Sequence, residues 1–140
     1  MGILLKMFGA DKAIILIYPL NKGGFMDKDK YEFLLLLKKR FPAIEFFSDY
    51  DFSLYYHSRE DAQIGYAVDH PIYPDLDFKT CILHEIGHYI AIRNSENAYS
   101  EKIAWKYAYQ LAPHFGVNIN NRAFLLAKES YMKNQPWLWE

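Results

Sequence analysis

Residues 79–108 read KTCILHEIGHYIAIRNSENAYSEKIAWKYA, two apolar runs separated by the polar segment RNSEN. This pattern is typical of two helices joined by a turn. Both runs also carry ionisable side chains, which are His84, Glu85 and His88 in the first run and Glu101 at the start of the second. The stretch therefore predicts a helix pair that carries either a metal site or ordinary polar residues.

The first run contains the pattern His-Glu-x-x-His. Residues four apart on a helix lie on the same face, so His84 and His88 can direct imidazole nitrogens at one ion. Glu85 projects beside His84, close enough to act as a general base but too far round the helix to be a ligand. The spacing predicts a zinc ion held by both histidines, with Glu85 as the catalytic residue.

A catalytic zinc site needs a third protein ligand and one open position. A third histidine would stand at position 94 with glycine at 91, but the chain has Asn94 and Ala91, which excludes that pattern. Glu101, thirteen residues after His88, is the better candidate. It begins a buried stripe at helical spacing, whose further members are Ala104, Trp105, Ala108, Leu111 and Ala112. We expect an inward-facing Glu101 carboxylate that completes the ligand set.

The alternative is a helix pair with a purely structural role. In that case both histidines bond backbone carbonyls within the core, and Glu85 lies at the surface. Glu101 then pairs with Lys102 or Lys106, and Glu96 lies in the polar turn in either case. Zinc content distinguishes the two readings.

The first half of the chain, residues 11–70, is predicted to form a sheet with one helix. The expected elements are a strand at 13–18, a helix from Asp27 or Asp29 to Arg40, a strand at 43–47, and a hairpin of 53–57 with 63–68 around a five-residue loop. We expect the strands to build one mixed sheet.

The second half, residues 76–134, is predicted to be helical. The expected helices run from 78 to 92 after Asp75 or Asp77, from Asn94 or Asn97 to about 115, and from Asn120 or Asn121 to about 134. Residues 135–140 form a tail. This order of elements predicts an α+β fold and a single domain over residues 1–140.

The amino-acid composition limits the classes of function that the chain can have. The chain of 140 residues is 51% hydrophobic and 18% aromatic, which suits one folded domain with an aromatic core. A net charge of −1 offers no basic surface for nucleic acid. Cys81 is the one cysteine, so no internal disulfide forms, and no apolar run reaches the length of a signal peptide or membrane span. We expect a cytoplasmic protein with neither a nucleic-acid nor a membrane partner.

The segments HEIGH (84–88) and SEKIAWKYAYQLAP (100–113) resemble the gluzincin metallopeptidases, which combine a His-Glu-x-x-His helix with a downstream glutamate helix. In size and layout the chain is similar to the minigluzincins, and next to the phage and plasmid immunity-repressor peptidases. The resemblance implies a small zincin-like fold that hydrolyses peptide bonds with one Zn²⁺ per chain. It implies that His84, His88 and Glu101 bind the zinc, and that Glu85 is the general base.

The chain departs from these families at one position. They often carry Asp or Asn four residues after the ligand glutamate, where it accepts the other ring proton of a ligand histidine. Here that position is Trp105, so a backbone carbonyl must orient the histidine. The departure keeps a second hypothesis open, which is a zinc-binding regulatory or partner-binding domain without turnover.

The segment QIGYAV (63–68) is the predicted place for an extended peptide substrate. Ile64, Tyr66 and Val68 alternate inward, which leaves the small residues Gly65 and Ala67 on the other face. We expect a strand edge that a substrate backbone can approach. The alternative is an ordinary strand whose small residues are covered by a loop.

A developing oxyanion needs a donor besides zinc. Spacing does not choose among the available side chains, which are His70, Tyr99, Tyr107 and His114. Cys81 is expected to be a small buried thiol without a role in the chemistry.

The chain ends in NQPWLWE (134–140), which carries more apolar surface than a free tail can expose. Pro136 should end the third helix and favour an extended form. Trp137, Leu138 and Trp139 are expected either to clamp the protein's own core or to lie in a cleft as a self-inhibitory pseudo-substrate.

Overall fold

The computed structural model describes residues 5–6, 20–21, 24–58, 61–68 and 76–140, and in this part of the chain it shows an α+β fold. The predicted strand at 13–18 and the candidate His70 lie outside the described residues. Within them, a small mixed sheet and four α-helices surround one cluster of buried apolar side chains. None of the helices in these ranges is long and apolar enough to cross a membrane.

The main sheet has four described strands. They are β1 (Leu5–Lys6), β4 (Ile44–Ser48), β5 (Ser53–Ser58) and β6 (Asp61–Tyr66), arranged in the order β1-β5-β6-β4. β4 runs parallel to β6, β5 is antiparallel to β6, and β1 is parallel to β5. Two short strands, β2 (Leu20–Asn21) and β3 (Gly24–Phe25), pair separately. The sheet is therefore mixed, with β6 in its interior.

The predicted hairpin is confirmed, but its five-residue loop is wrong. β5 continues through Ser58 and β6 begins at Asp61, and these two residues pair with each other. The pairing carries a register shift between Tyr56 and Ser58, as in a β-bulge. Because the polar ends of both strands join the ladder, only residues 59 and 60 separate the strands.

Helix α1 (Lys28–Arg40) begins where the first of the two predicted caps stands. The Asp27 side chain accepts a hydrogen bond from the Lys30 amide at 2.9 Å. This bond satisfies one of the free amides of the first turn, and the basic last turn suits the negative end of the helix dipole. Phe33, Leu34 and Leu37 form the buried face of α1.

Helix α2 (Phe78–Arg93) is the central helix. The Asp77 side chain caps it by accepting from the Thr80 amide at 2.8 Å. α2 contacts β5 and β6 on one side and the next helix, α3 (Glu101–Leu111), on another. Its contact with α3 is closest at Gly87, where a Cβ atom would overlap the Ala104 carbonyl oxygen. A residue without a side chain therefore lets the two helices meet one residue before His88.

The predicted start of α3 at Asn94 or Asn97 is wrong. Asn94 closes the end of α2, and the Asn97 side chain accepts from the Tyr99 amide inside the turn. Ser100 is the cap, since its hydroxyl oxygen accepts from the Ile103 amide at 3.2 Å. The cap therefore stands directly before Glu101. A 3-10 turn, Ala112–Phe115, follows α3.

Helix α4 (Asn121–Asn134) begins after Asn120, whose side chain accepts from the Ala123 amide at 3.1 Å. The tail after it does not extend, contrary to prediction, but forms a 3-10 turn, Pro136–Trp139. Proline is well placed at the start of such a turn, because its fixed φ is compatible with helical backbone. The tail packs on α3 and α4.

Candidate metal centre

Three side chains from α2 and α3 converge on one point in the core. His84, His88 and Glu101 each offer a ligand atom, and these atoms lie within 4.8 Å of one another. All three residues are fully buried, with 0% of their surface exposed. The inward orientation predicted for Glu101 is therefore confirmed, and the cluster could hold a metal ion.

The Glu101 carboxylate lies between the two imidazoles. Its Oε2 is 2.9 Å from Nε2 of His84, and its Oε1 is 3.2 Å from Nε2 of His88. Neither Lys102 nor Lys106 pairs with Glu101 in the described ion pairs, so that alternative is not what the structure shows. The carboxylate and the two ring nitrogens form one polar cluster inside an apolar core.

His88 is oriented by a backbone carbonyl. Its Nδ1 lies 2.6 Å from the Ala98 carbonyl oxygen, which can only accept a hydrogen bond. Nδ1 therefore carries a proton, and Nε2 is the ring nitrogen that faces Glu101. The prediction that a backbone carbonyl would orient one of the two histidines is confirmed for His88.

His84 is held by stacking instead. The ring of Trp105 lies on it with centroids 4.4 Å apart and an interplanar angle of 28°. His84 Nδ1 has no hydrogen-bond partner among the described residues and is 3.9 Å from Oε1 of Glu85. Trp105 therefore replaces a hydrogen-bond acceptor with a flat aromatic surface.

Glu85 is fully buried, so the reading that placed it at the surface is wrong. Neither of its carboxylate oxygens has a hydrogen-bond partner within the described ranges. Burial raises the pKa of Glu85 well above its usual range, and the negative charge of Glu101 adds to this. A carboxyl group with a raised pKa beside the His84–His88–Glu101 cluster is suited to accept and release a proton.

The pKa values of His84 and Glu101 favour the forms that can bind a metal ion. Burial lowers the pKa of His84, so the neutral imidazole is favoured, although Glu101 opposes this shift. Burial alone would raise the pKa of Glu101, but the interactions with His84 and His88 outweigh it and hold that pKa at about 2. A neutral imidazole and an ionised carboxylate are the forms that bind a metal ion.

Tyr131 is a neighbour of the site that the sequence did not indicate. It lies on α4 and is only 4% exposed, and burial raises the pKa of its phenol, with the negative charge of Glu101 adding to the shift. The available signal was the stripe Ala123, Ala127 and Tyr131, at four-residue spacing, which marks the buried face of α4. That stripe predicts burial but not the influence of Glu101 on the phenol.

The described candidates for stabilising an oxyanion lie away from the His84–His88–Glu101 cluster. The Tyr107 hydroxyl donates to Glu96 and accepts from Asn94 in the turn before α3. Tyr99 is 58% exposed, and His114 is exposed in the 3-10 turn after α3. Cys81 is buried as expected, and burial raises the pKa of its thiol.

The predicted substrate edge at QIGYAV is also wrong. Residues 63–66 of this segment belong to β6, which is paired with β4 on one side and with β5 on the other. The face at Gly65 is covered too, because a Cβ there would lie 2.7 Å from Oδ2 of Asp49. Parallel pairing with β4 occupies the edge that the sequence pattern left open.

The comparisons with known proteins give no family for this arrangement. No protein-family model matches the chain, and no curated protein or solved structure matches it either.

Proposed function

We propose that the chain is a zinc-dependent peptidase of the gluzincin type, with His84, His88 and Glu101 as zinc ligands and Glu85 as general base. One observation carries the proposal. Three buried donor atoms converge within 4.8 Å, and a carboxyl group without hydrogen-bond partners among the described residues adjoins them. Burying such a cluster destabilises the fold unless another group binds the polar atoms of the cluster.

The donor set supports zinc. Two imidazole nitrogens and one carboxylate oxygen are a ligand set of catalytic zinc, which keeps a further position open. His88 Nε2 and Glu101 Oε1 have no geometrically satisfactory hydrogen bond among the described residues, although they lie 3.2 Å apart. Both atoms are therefore available to a cation. The order His-Glu-x-x-His followed by a glutamate helix supports the gluzincin type.

Bound zinc would supply a Lewis acid that polarises a peptide carbonyl and makes a water molecule more acidic. Glu85 would accept the proton of that water and deliver it to the leaving amine, and its raised pKa suits both transfers. The substrate class is a peptide or an unfolded protein. All four site residues are fully buried, so substrate entry requires local opening of the fold.

The decisive experiment measures zinc content and cleavage of an unfolded protein on the same preparations. Wild type should bind about one zinc per chain, and changing His84 or Glu101 to Ala should abolish binding. Glu85→Gln should keep the zinc and lose cleavage by at least about 100-fold, as expected for a general base. Glu96→Gln is the matched control, since Glu96 bonds Tyr107 in the turn outside the cluster. Full metal content in both ligand variants would refute the assignment.

A second candidate is a zinc-binding regulatory domain without turnover. Trp105 favours it, because stacking leaves His84 Nδ1 without the acceptor that would raise the basicity of the ring. This candidate predicts stoichiometric zinc with no cleavage by wild type.

A further inference from the structure

We propose that Trp105 is a positioning residue that fixes the orientation of the His84 ring for a metal ion, and that it acts through its aromatic face and not through a hydrogen bond. The proposal rests on the metal site proposed above but does not depend on peptidase activity. Its basis is the stacked contact between the two rings, whose centroids are 4.4 Å apart with an interplanar angle of 28°. Trp105 is only 1% exposed, so the contact lies inside the core.

The His84 ring needs such a support. Its Nδ1 has no hydrogen-bond partner among the described residues, and its Nε2 is the atom that faces Glu101 and is available to a metal ion. The terminal torsion of a histidine side chain is broad, so the ring turns easily unless a neighbour restricts it. The indole of Trp105 lies across one face of the ring and restricts that rotation.

The two histidines are therefore held in different ways. His88 donates from Nδ1 to the Ala98 carbonyl oxygen at 2.6 Å, a hydrogen bond of the kind that commonly orients a ligand histidine. Trp105 stands one helical turn after Glu101 and covers His84 with its ring instead.

The indole N–H does not explain the presence of a tryptophan at this position. Nε1 of Trp105 is buried without a hydrogen-bond partner among the described residues, and an unpaired buried donor costs stability. The aromatic face is therefore the part of the side chain that serves the site. This distinction predicts that another aromatic ring can replace the indole, whereas an aliphatic side chain cannot.

The indole is itself held by an aromatic cluster. Phe124 of α4 meets it edge-on, with centroids 5.2 Å apart and an interplanar angle of 66°. Tyr109 of α3 and Trp139 of the tail contact Phe124 in turn, at centroid distances of 5.1 and 5.8 Å. Because three segments of the chain fix the indole, it can orient His84 before a metal ion binds.

The test compares Trp105→Phe and Trp105→Leu with wild type in zinc affinity, measured by competition with a chelator, and in the visible absorption of the cobalt-loaded protein. Phe keeps an aromatic face and removes the unpaired N–H, so this variant should bind zinc nearly as tightly as wild type and keep its cobalt spectrum. Leu cannot stack. Ordering one side chain on binding corresponds to about 2- to 12-fold in a dissociation constant, so Trp105→Leu should lose affinity in that range and change the cobalt spectrum.

Phe33→Leu is the matched control for the loss of a buried aromatic ring. Phe33 lies on α1, is 3% exposed and packs edge-on against Phe115, with centroids 6.2 Å apart. The control should lower stability while leaving zinc affinity and the cobalt spectrum unchanged.

Proton NMR of the metal-free protein tests the stack directly. The ring current of the indole should move the ring protons of His84 upfield in wild type. Trp105→Leu should remove this shift, whereas Trp105→Phe should keep part of it.

Equal losses of zinc affinity in Trp105→Phe and Trp105→Leu would contradict the proposal, because they would assign the effect to the indole N–H or to its volume. Wild-type affinity and spectrum in Trp105→Leu would also contradict it. A wild type that binds zinc but cleaves no peptide would refute the peptidase alone. A wild type that binds no metal would refute both.

Discussion

His84 Nε2 lies 2.9 Å from Oε2 of Glu101, although the two residues are 17 positions apart and belong to different helices. The contact joins a neutral imidazole to an ionised carboxylate, since burial lowers the pKa of His84 and the two histidines hold the pKa of Glu101 at about 2. Glu85 lies beside this pair with a raised pKa. The core therefore contains two carboxyl groups whose pKa values are shifted in opposite directions.

These opposite shifts predict a pH-dependent stability of the metal-free protein. The folded-state pKa of Glu85 is raised, so the stability that this group contributes is present below its unfolded pKa of about 4.3 and is lost as pH rises through the folded value. Glu85→Gln removes this loss, because the amide does not ionise. We expect the variant to be more stable than wild type in urea at pH 8, with the difference shrinking towards pH 4.

Glu101→Gln should change the stability of the metal-free protein in the opposite direction to Glu85→Gln. The folded-state pKa of Glu101 is about 2, so the stability that it contributes is present above about pH 4.3 and is lost as pH falls through about 2. This variant should be less stable than metal-free wild type at pH 7, and the two should converge in acid. Parallel pH profiles for wild type and both variants would show that neither carboxyl group is shifted as described.

Gly87 is predicted to set the spacing between the two ligand helices. A Cβ at this position would overlap the Ala104 carbonyl oxygen and lie 2.9 Å from the carbonyl carbon, and backbone cannot move aside without shifting α3. Gly87→Ala should lower the free energy of unfolding by about 1–3 kcal/mol, as overpacking does. It should also weaken zinc binding, because His88 and Glu101 stand on the two helices that are pushed apart.

Gly116→Asn is the control for that variant. Gly116 has φ 67°, and nothing lies within 4 Å of a Cβ placed there. Asn tolerates the left-handed conformation, so this change should leave zinc affinity unaltered. If Gly87→Ala binds zinc as tightly as Gly116→Asn, the close contact of α2 with α3 does not govern the site.

The parts of this architecture that the sequence predicted are those governed by neighbours along the chain. Asp27, Asp77 and Asn120 cap their helices by accepting from an amide three residues ahead, and each was one of two candidates at its helix start. The shared face of His84 and His88 and the inward stripe that begins at Glu101 are also predictable from neighbours along the chain. Helical geometry alone determines which residues lie on one face.

The parts that it did not predict depend on contacts between distant segments. The parallel pairing of β4 with β6 cannot be predicted from the alternation of apolar and polar residues within either strand. The sequence therefore does not indicate the buried position of QIGYAV. Tyr131 occupies an ordinary buried-stripe position, and only the packing of α4 reveals that the charge of Glu101 acts on it. The predicted starts of α3 at Asn94 and Asn97 are wrong because asparagine and serine are comparably good caps, and the hydrogen bond of Ser100 to Glu140 favours Ser100.

The packing of the C-terminal tail favours a clamp on the protein's own core over a pseudo-substrate in a cleft. Trp139 lies against Phe124, with centroids 5.8 Å apart, and against Tyr131, while Trp137 is 60% exposed. Deleting residues 136–140 removes the Trp139 contacts and the Ser100–Glu140 hydrogen bond. Loss of a partly buried aromatic ring should lower the free energy of unfolding by about 2–3 kcal/mol, measured by urea denaturation of the metal-free protein.

Self-inhibition by the tail predicts a different result from the same deletion, namely increased cleavage of an unfolded protein with little change in melting temperature. We expect the opposite, a lower melting temperature and no gain in cleavage, because the deletion also releases the start of α3 next to Glu101. Trp137→Ala is the control, since truncating an exposed side chain changes stability by no more than about 0.5 kcal/mol. A stable, zinc-loaded truncated protein that cleaves faster than the full chain would establish the tail as an inhibitor and refute the clamp.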